Sequence, residues 1–288
     1  MKAYPACIPC LINQGLNAVK KLGLGDEVER EIAVRSLKFL SEVKEFDKSP
    51  AYYAYFIQKL VKELSGTEDP FWKQKKLANE VALNMLPELE KELEHAEDQL
   101  AYALRLAAVG NYIDFAIRGD LNISEDLTKL LKSSFFVWDY AVFRERLSSS
   151  NMVLIIGDNA GEIVFDKPLV KLLKNMGKEV FYAVKGAPIL NDATYEDAVE
   201  VSMTGLCNVV DNGSDKVGTW LEDCSEDFLK LFYDSDIVIS KGQANFETLS
   251  GVSREVFFLL VAKCEPIANE VGGEVRRFIL KFKPTKTT

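Results

Sequence analysis

Four short apolar runs in the second half of this chain begin 28 residues apart, and that cadence constrains the fold more than any other feature. "MVLII" begins at Met152, "VFYAV" at Val180, "NVVD" at Asn208 and "DIVIS" at Asp236; a fifth run, "VFFLLVA", begins at Val256. The spacing is that of strand, crossover helix, strand. The runs lack polar alternation, as strands do when a parallel sheet is covered on both faces. Side chains do not match from unit to unit, so this is a rhythm and not a sequence repeat. The expected fold class is α/β: a parallel-type, Rossmann-like sheet with flanking helices over residues 151–288.

The first half has a different period. In "CIPCLINQGLNAVKKLG", Ile8, Leu11, Ile12, Leu16 and Val19 recur at helix-face spacing, and "EIAVRSLKFLSEV" and "AYYAYFIQKLVKEL" continue the pattern. "GTEDPFW" reads as a turn in which Pro70 prepares the next helix. The helical stretch from Phe71 to Val109 is expected to break into two helices at Pro87, and Gly110 is expected to cap the second. An all-helical domain over residues 1–150 is therefore predicted ahead of the α/β domain. The tail "KFKPTKTT" carries no structural signal.

The formal net charge of −9 argues against nucleic acid as the main partner, because phosphate contacts need a basic face. No apolar run approaches the roughly 20 residues a bilayer requires, and "MKAYPACIPC" lacks the apolar core of a secretory signal. A cytoplasmic protein with no membrane partner is expected; the sequence is silent on oligomeric state. Five cysteines, an odd and mostly scattered set, do not form a disulfide framework. Cys7 and Cys10 have zinc-knuckle spacing without a second pair, and are read as packed helix cysteines.

Ligands of parallel α/β sheets bind beyond the carboxyl ends of the strands, where the loops converge. The first run delivers Gly157-Asp158-Asn159, and the second delivers Lys185, Asn191 and Asp192. The third ends in Asp211-Asn212-Gly213, the fourth in Lys241-Gly242 with Asn245 and Glu247 beyond, and the fifth in Lys263-Cys264. Carboxylate and amide oxygens suit hard divalent cations, and lysine suits phosphate. Glycines 157, 161, 186 and 242 let backbone approach a ligand closely, and the loop from Asn159 to Glu162 opens a helix whose free N–H groups suit an anion.

Each piece has a plainer reading. Asn159 and Glu162 stand at capping-box spacing, and Asp192 is placed to cap the helix "ATYEDAVEV". Asp211-Asn212-Gly213 is turn chemistry, the favoured reading there. Asp158 is different: after four apolar residues an acid gains nothing from burial unless it is paired or bound. The lone His95 sits in a charged helix and is read as solvated. Dinucleotide, P-loop and nucleophile-elbow spacings are all missing.

"GDNAGEIVFD", "NDAT", "SKGQANFETL" and "LLVAKCEP", preceded by "CIPC", "GTEDPFWKQK" and "AVGNYIDF", resemble the DUF89 family of metal-dependent damage-control phosphatases, also called ARMT1-like. The resemblance runs from Cys7 to about Gly273, and the C-x-x-C resembles the microbial subfamily in particular. It implies a helical N-terminal portion packed on an α/β domain. It also implies hydrolysis of phosphate monoesters of small metabolites, including sugar phosphates and damaged phospho-metabolites or nucleotides, with Mn²⁺, Ni²⁺, Co²⁺ or Mg²⁺. The family's metal ligands match Asp158, Asn159 and Asp192, and its loop acid matches Glu162. Its substrate-contacting segment matches Lys241 to Phe246, with Gly242 and Asn245, and its last-strand lysine matches Lys263. The chain departs from the larger eukaryotic members in carrying "LVAKC" where they have an Arg-Thr pair before that lysine.

On this reading Asp158, Asn159 and Asp192 hold one cation, and a water it activates attacks phosphorus. Lys241, Lys263 and the amides of Asn159 to Gly161 take up phosphoryl charge, and Glu162 orients or deprotonates the water. Direct attack by Asp158 is the competing mechanism. Asn111, Asp114 and Lys73 are expected either to line the crevice or to pin the two halves together. The alternative function is an S-adenosylmethionine-dependent carboxyl methyltransferase, also discussed for the family.

Overall fold

A computed structural model of the chain describes residues 1–110, 131 and 135–285. Asn111 and Asp114 lie outside the described residues. Three helices come first: α1 (Cys7–Lys21), α2 (Asp26–Glu42) and α3 (Pro50–Ser65). Ser49 caps α3 by accepting from the Tyr52 amide, with Pro50 in the first turn. Apolar residues one helical face apart, among them Val19, Ile32 and Val61, bind the three together.

Helices α4 (Trp72–Glu94) and α5 (Gln99–Val109) follow. The expected break at Pro87 does not occur, since α4 runs straight through it. Proline forfeits one intrahelical hydrogen bond, but Leu86, Leu89 and Leu93 are buried around it in the main core and hold the helix together. The chain instead breaks after Glu94, where Asp98 caps α5 by accepting from Ala101 N. Gly110 does end α5, although in right-handed conformation (φ −46°). A Cβ there would lie 3.3 Å from Glu162 Cα, so its small size serves close helix packing.

The sheet has seven strands: β1 (Val137–Trp138), β2 (Met152–Ile156), β3 (Glu179–Val184), β4 (Asn208–Asp211), β5 (Ile237–Lys241), β6 (Val256–Val261) and β7 (Phe278–Lys283). Their order is β1-β7-β6-β5-β2-β3-β4. Strands β2 to β6 are mutually parallel, and β7 pairs antiparallel with β6. The tail is thus not featureless. Phe278, Ile279 and Leu280 are buried in β7, and the lysines that mask its pattern extend their heads to carbonyls: Lys281 Nζ donates to Val271 O (2.7 Å).

Side chains alternate across the sheet. Val153 and Ile155 join one core with α4, α5, α6 (Tyr140–Ser149) and α7 (Glu162–Asn175). Leu154 and Ile156 join the opposite one with α9 (Glu226–Asp234), α10 (Gln243–Leu249) and α11 (Glu265–Val271). α8 (Tyr195–Glu200) follows β3. Helices α4 and α5, on the N-terminal side of residue 150, therefore share a core with the sheet. Among the described residues no helix is long and apolar enough to cross a membrane.

The strand order reverses between β2 and β5, neighbours that lead to opposite edges of the sheet. Loops leaving that switch point diverge to opposite faces and open a crevice.

Candidate active site

Asp158 stands at the switch point, just past the end of β2. The start of α10 meets it from β5: a Cβ on Gly242, whose φ is +81°, would lie 2.6 Å from Asp158 Oδ1 and closer still to Oδ2 and Cγ. Glycine is required here for both conformation and room. The β3 loop is tied to the same point. Ala193 N donates to Asp158 O (2.9 Å), Ala160 N donates to Asn191 O (2.8 Å), and Asn159 bridges antiparallel to Asp192. Two backbone ties and one bridge thus set Asp158, Asn159 and Asp192 side by side.

The plainer readings of these residues do not describe the structure. Gly161 is the N-cap of α7 and no side chain caps it; Asn159 Nδ2 instead donates to Glu162 Oε1 (2.6 Å) and Asp158 Oδ2 (3.0 Å). Asp192 does not cap α8, because Thr194 and Asp197 form a capping box there. Asp211-Asn212-Gly213 is a turn as expected: Gly213 N donates to Asp211 Oδ1 (2.9 Å). His95 is exposed.

Asp158, Asn159 and Asp192 form part of the wall of a cavity of about 730 Å³ that runs between the sheet loops and helices α1, α3 and α4. Lys263 lines it too, as do Asn191, Glu247, Cys7, Cys10 and Cys264. The two N-terminal cysteines therefore face the cavity and are not simply packed. Glu162, Lys241, Gly161, Gly242 and Asn245 stand behind this wall. Lys241, fully buried, reaches Asp166 Oδ1 (2.7 Å) and Glu162 Oε2 (3.3 Å). Asn245 Nδ2 donates to Gly157 O (3.0 Å) and Lys241 O (2.8 Å), while its Oδ1 accepts from Thr219 Oγ1 (2.8 Å). Lys73 is exposed at the start of α4.

Two of the three amides expected to meet an anion are engaged within the protein. Gly161 N donates to Asn79 Oδ1 (2.7 Å), and Ala160 N is held by Asn191 O as above. Asn79 also donates to Asp197 Oδ1 (3.2 Å) and Glu200 Oε2 (2.8 Å). Lys75 beside it binds Asp197 (2.8 Å) and Asp69 (2.9 Å). A buried polar network on α4 thus clamps the loop from outside.

Electrostatics set the wall apart from the layer behind it. Burial raises the proton affinity of Asp158; Asp192 adds to it, and Lys263, Lys241 and Lys185 oppose it. Burial likewise raises Asp192 against the opposing charge of Lys185, whose Nζ lies 3.5 Å from Asp192 Oδ2. Lys185 also donates to Gly218 O and Lys216 O. Glu162 is raised by burial, with Lys241 opposing and Asp158 adding. Burial works against the charge on Lys241, but Asp166 and Glu162 outweigh it and raise that lysine further. The acids at the wall are therefore short of positive charge.

Among the described residues no three carboxylate, thiol or imidazole groups form a ready metal cage. The donors at the wall are of another kind: two carboxylates plus the amide oxygen of Asn159, whose Nδ2 makes both hydrogen bonds described above. Hard oxygen donors of this mixture suit Mg²⁺-like or Mn²⁺-like ions.

Sequence reasoning missed Asn79, Asp166, Lys185's contact with Asp192, and the clustering of Glu247 with the cysteines. Asp166 carried one signal, an acid one helical turn past Glu162 on the same face. Asn79 carried none, because its partners lie 82 to 121 residues away.

The damage-control phosphatase ARMT1-like domain matches residues 3–278. A damage-control phosphatase of Archaeoglobus fulgidus is 32% identical, covering 98% of this chain and 99% of the relative. Another from Pyrococcus horikoshii is 31% identical, covering 94% of each. The crystal structure of a DUF89 family protein from Pyrococcus horikoshii superposes with a TM-score of 0.89 at 30% identity, covering 99% of this chain and all of that one. The match spans both halves and every loop that builds the wall: the chain belongs to the damage-control phosphatase ARMT1-like family, the DUF89 proteins.

Proposed function

We propose that the protein is a metal-dependent phosphatase that hydrolyses phosphate monoesters of small metabolites, with Asp158, Asn159 and Asp192 as the cation's ligands. The observation that carries this reading is the pair of buried carboxylates held beside an amide oxygen at the end of a cavity that Lys263 also lines. Burial and mutual repulsion leave these acids in want of a positive charge, which a divalent cation supplies. The relatives named damage-control phosphatases support the same reaction class.

Asp158, Asn159 and Asp192 would hold a divalent cation, which would supply Lewis-acid polarisation of a phosphoryl oxygen and a lowered pKa for a water. The protein's own groups divide the rest of the work. Lys263, exposed to the cavity, offsets charge on the phosphoryl group. Glu162 accepts from Asn159 Nδ2 and so turns the amide oxygen away from itself, which makes it a positioning residue. Lys241 neutralises Glu162 and Asp166 from behind and keeps the wall in place. A water would form the new P–O bond as the ester P–O bond breaks with its electron pair on the alcohol oxygen; the proton that the water gives up passes through solvent to that oxygen, leaving inorganic phosphate and the free alcohol.

The test is p-nitrophenyl phosphate hydrolysis by EDTA-stripped protein with Mg²⁺, Mn²⁺, Co²⁺ or Ni²⁺ restored, beside Asp158→Ala. Turnover restored in the wild type alone supports the reading. A protein that transfers methyl groups from S-adenosylmethionine to carboxylates, and hydrolyses no ester with any cation, contradicts it.

A further inference from the structure

Three of the five cysteines meet at one end of the cavity, and the phosphatase reading uses none of them. Cys7 and Cys10 come from the first turn of α1, and Cys264 is the N-cap of α11. Contacts between distant segments bring them together. Tyr4 Oη donates to Glu270 Oε1 (3.0 Å) and so ties the approach to α1 against α11. Ala51 N, at the start of α3, donates to Glu247 Oε2 (2.8 Å) on α10. Burial raises the proton affinity of all three thiols, and the Glu247 carboxylate raises each of them further, so the three surround one acid. Cys7 and Cys10 act on Cys264 as well.

All five cysteines are free thiols. Cys7 and Cys10 belong to no apolar cluster among the described residues, so packing does not account for them. Their geometry suits a bond to each other. In an α-helix, Cα atoms three residues apart stand about 5 Å from one another, inside the roughly 4.4–6.8 Å span of disulfides. The Cβ atoms of such a pair are about 5–6 Å apart and must close to about 4.5 Å, so the turn has to tighten by about an ångström. A first turn can do so, because its amides have no partners within the helix; Cys7 N donates back to Tyr4 O (2.8 Å). The pair is also asymmetric, with Cys10 exposed and Cys7 buried behind it. One sulfur is open to a small reagent, and the other is shielded until the first has reacted.

Events at this end reach Lys263 through one side chain. Gln243 Oε1 accepts from Lys263 N (3.1 Å), while Gln243 Nε2 donates to Glu247 Oε1 (3.0 Å). Glu247 is the acid that the thiols surround, so a shift in the first turn of α1 is passed to the backbone of Lys263.

We propose that Cys7 and Cys10 are a redox modification site, closed reversibly into a disulfide by exchange with a small disulfide, and that closure displaces Lys263 and lowers turnover. The Cys10 sulfur attacks the small disulfide, forming a mixed disulfide and releasing one small thiol, which carries off the Cys10 proton. The Cys7 sulfur then attacks Cys10 Sγ; the bond to the small group breaks with its electron pair, and a second small thiol leaves with the Cys7 proton. Two protein thiols are oxidised and one small disulfide is reduced to two thiols. The effect on turnover rests on the phosphatase reading; the disulfide itself does not.

The test equilibrates the intact chain with mixtures of oxidised and reduced glutathione, alkylates it and maps the bonds by peptide mass. The expected result is loss of two of the five free thiols, a Cys7–Cys10 bond, and full recovery with dithiothreitol. Cys7→Ser should stop at a mixed disulfide on Cys10, and Cys264→Ser should oxidise as the wild type does. Cation-activated hydrolysis of p-nitrophenyl phosphate would be followed in parallel. On oxidation kcat/KM should fall at least about threefold in the wild type and hold steady in Cys10→Ser. Five free thiols at every glutathione ratio would overturn the site, as would a bond from Cys264 to either partner, or thiols that react only after a chelator strips zinc from them. Oxidised protein with unchanged kcat/KM would overturn the link to Lys263. Failure of the phosphatase reading alone looks different: the Cys7–Cys10 bond forms while no ester turns over in either redox state, which keeps the modification site and removes its effect on turnover.

Discussion

Replacing Gly242 by alanine is the sharpest perturbation the geometry offers. The new methyl group would lie 2.6 Å from Asp158 Oδ1 and nearer to Oδ2, whereas ordinary contact begins at 3.4 Å. The carboxylate must therefore retreat by at least 0.8 Å, or the start of α10 must shift with it. A misplacement of about 1 Å in a catalytic group costs on the order of 100-fold in rate. The stability cost is smaller. At φ +81° and ψ 161°, a region essentially reserved for glycine, another residue loses about 1–3 kcal/mol, and the displaced acid borders an open cavity. Gly251→Ala serves as the control, since a Cβ there meets nothing within 4 Å. Cation-activated hydrolysis of p-nitrophenyl phosphate and guanidinium unfolding would be measured on all three proteins. Gly242→Ala is expected to stay folded and lose about two orders of magnitude in kcat/KM, with Gly251→Ala near wild type in both assays. A folded Gly242→Ala protein with wild-type turnover would refute the assignment of Asp158 to the reaction.

Three further outcomes follow from the same structure. Lys241→Met leaves Glu162 and Asp166 buried without their cation and should cost about 3–5 kcal/mol in chemical denaturation; an unchanged midpoint would show that the pair is not holding the loop. Asn79→Ala leaves the Gly161 N–H without its acceptor, an expected loss of about 1–3 kcal/mol together with slower turnover, and full activity in that variant would count against the clamp. Glu247 is pushed by burial from 4.5 up to about 7, so the native state holds its proton more tightly than the unfolded chain does. Its contribution is complete below about pH 4.5 and is lost as pH rises through about 7, up to about 3 kcal/mol. Glu247→Gln should remove that slope and be the more stable protein at pH 8; parallel pH profiles for the two would contradict the burial argument.

What the sequence discloses depends on how local the cause is. Strands β2, β3, β5 and β6 are visible because their residues are largely buried and read as apolar runs, whereas the exposed edge strand β4 is legible only through the 28-residue spacing. β7 hides because Lys281 and Lys283 break its pattern, and only the folded chain supplies the carbonyls that receive their ammonium groups. Pro87 misleads in the opposite direction, since tertiary packing by Leu86, Leu89 and Leu93 outweighs one missing hydrogen bond. Asp158, Asn159, Asp192 and Lys263 were legible as polar residues at strand ends and do meet in one cavity wall. Lys241 was legible as important but not as buried: its position at the end of β5, behind the wall, depends on Asp166, 75 residues earlier on helix α7.

The central claim is that Asp158, Asn159 and Asp192 bind a divalent cation. Its most direct test is calorimetric titration of EDTA-stripped protein with Mn²⁺, wild type against Asp192→Ala, with circular dichroism to confirm that the variant is folded. The account expects one ion bound by the wild type and none at comparable affinity by the variant. Equal binding by both proteins, or no binding by the wild type, would contradict it.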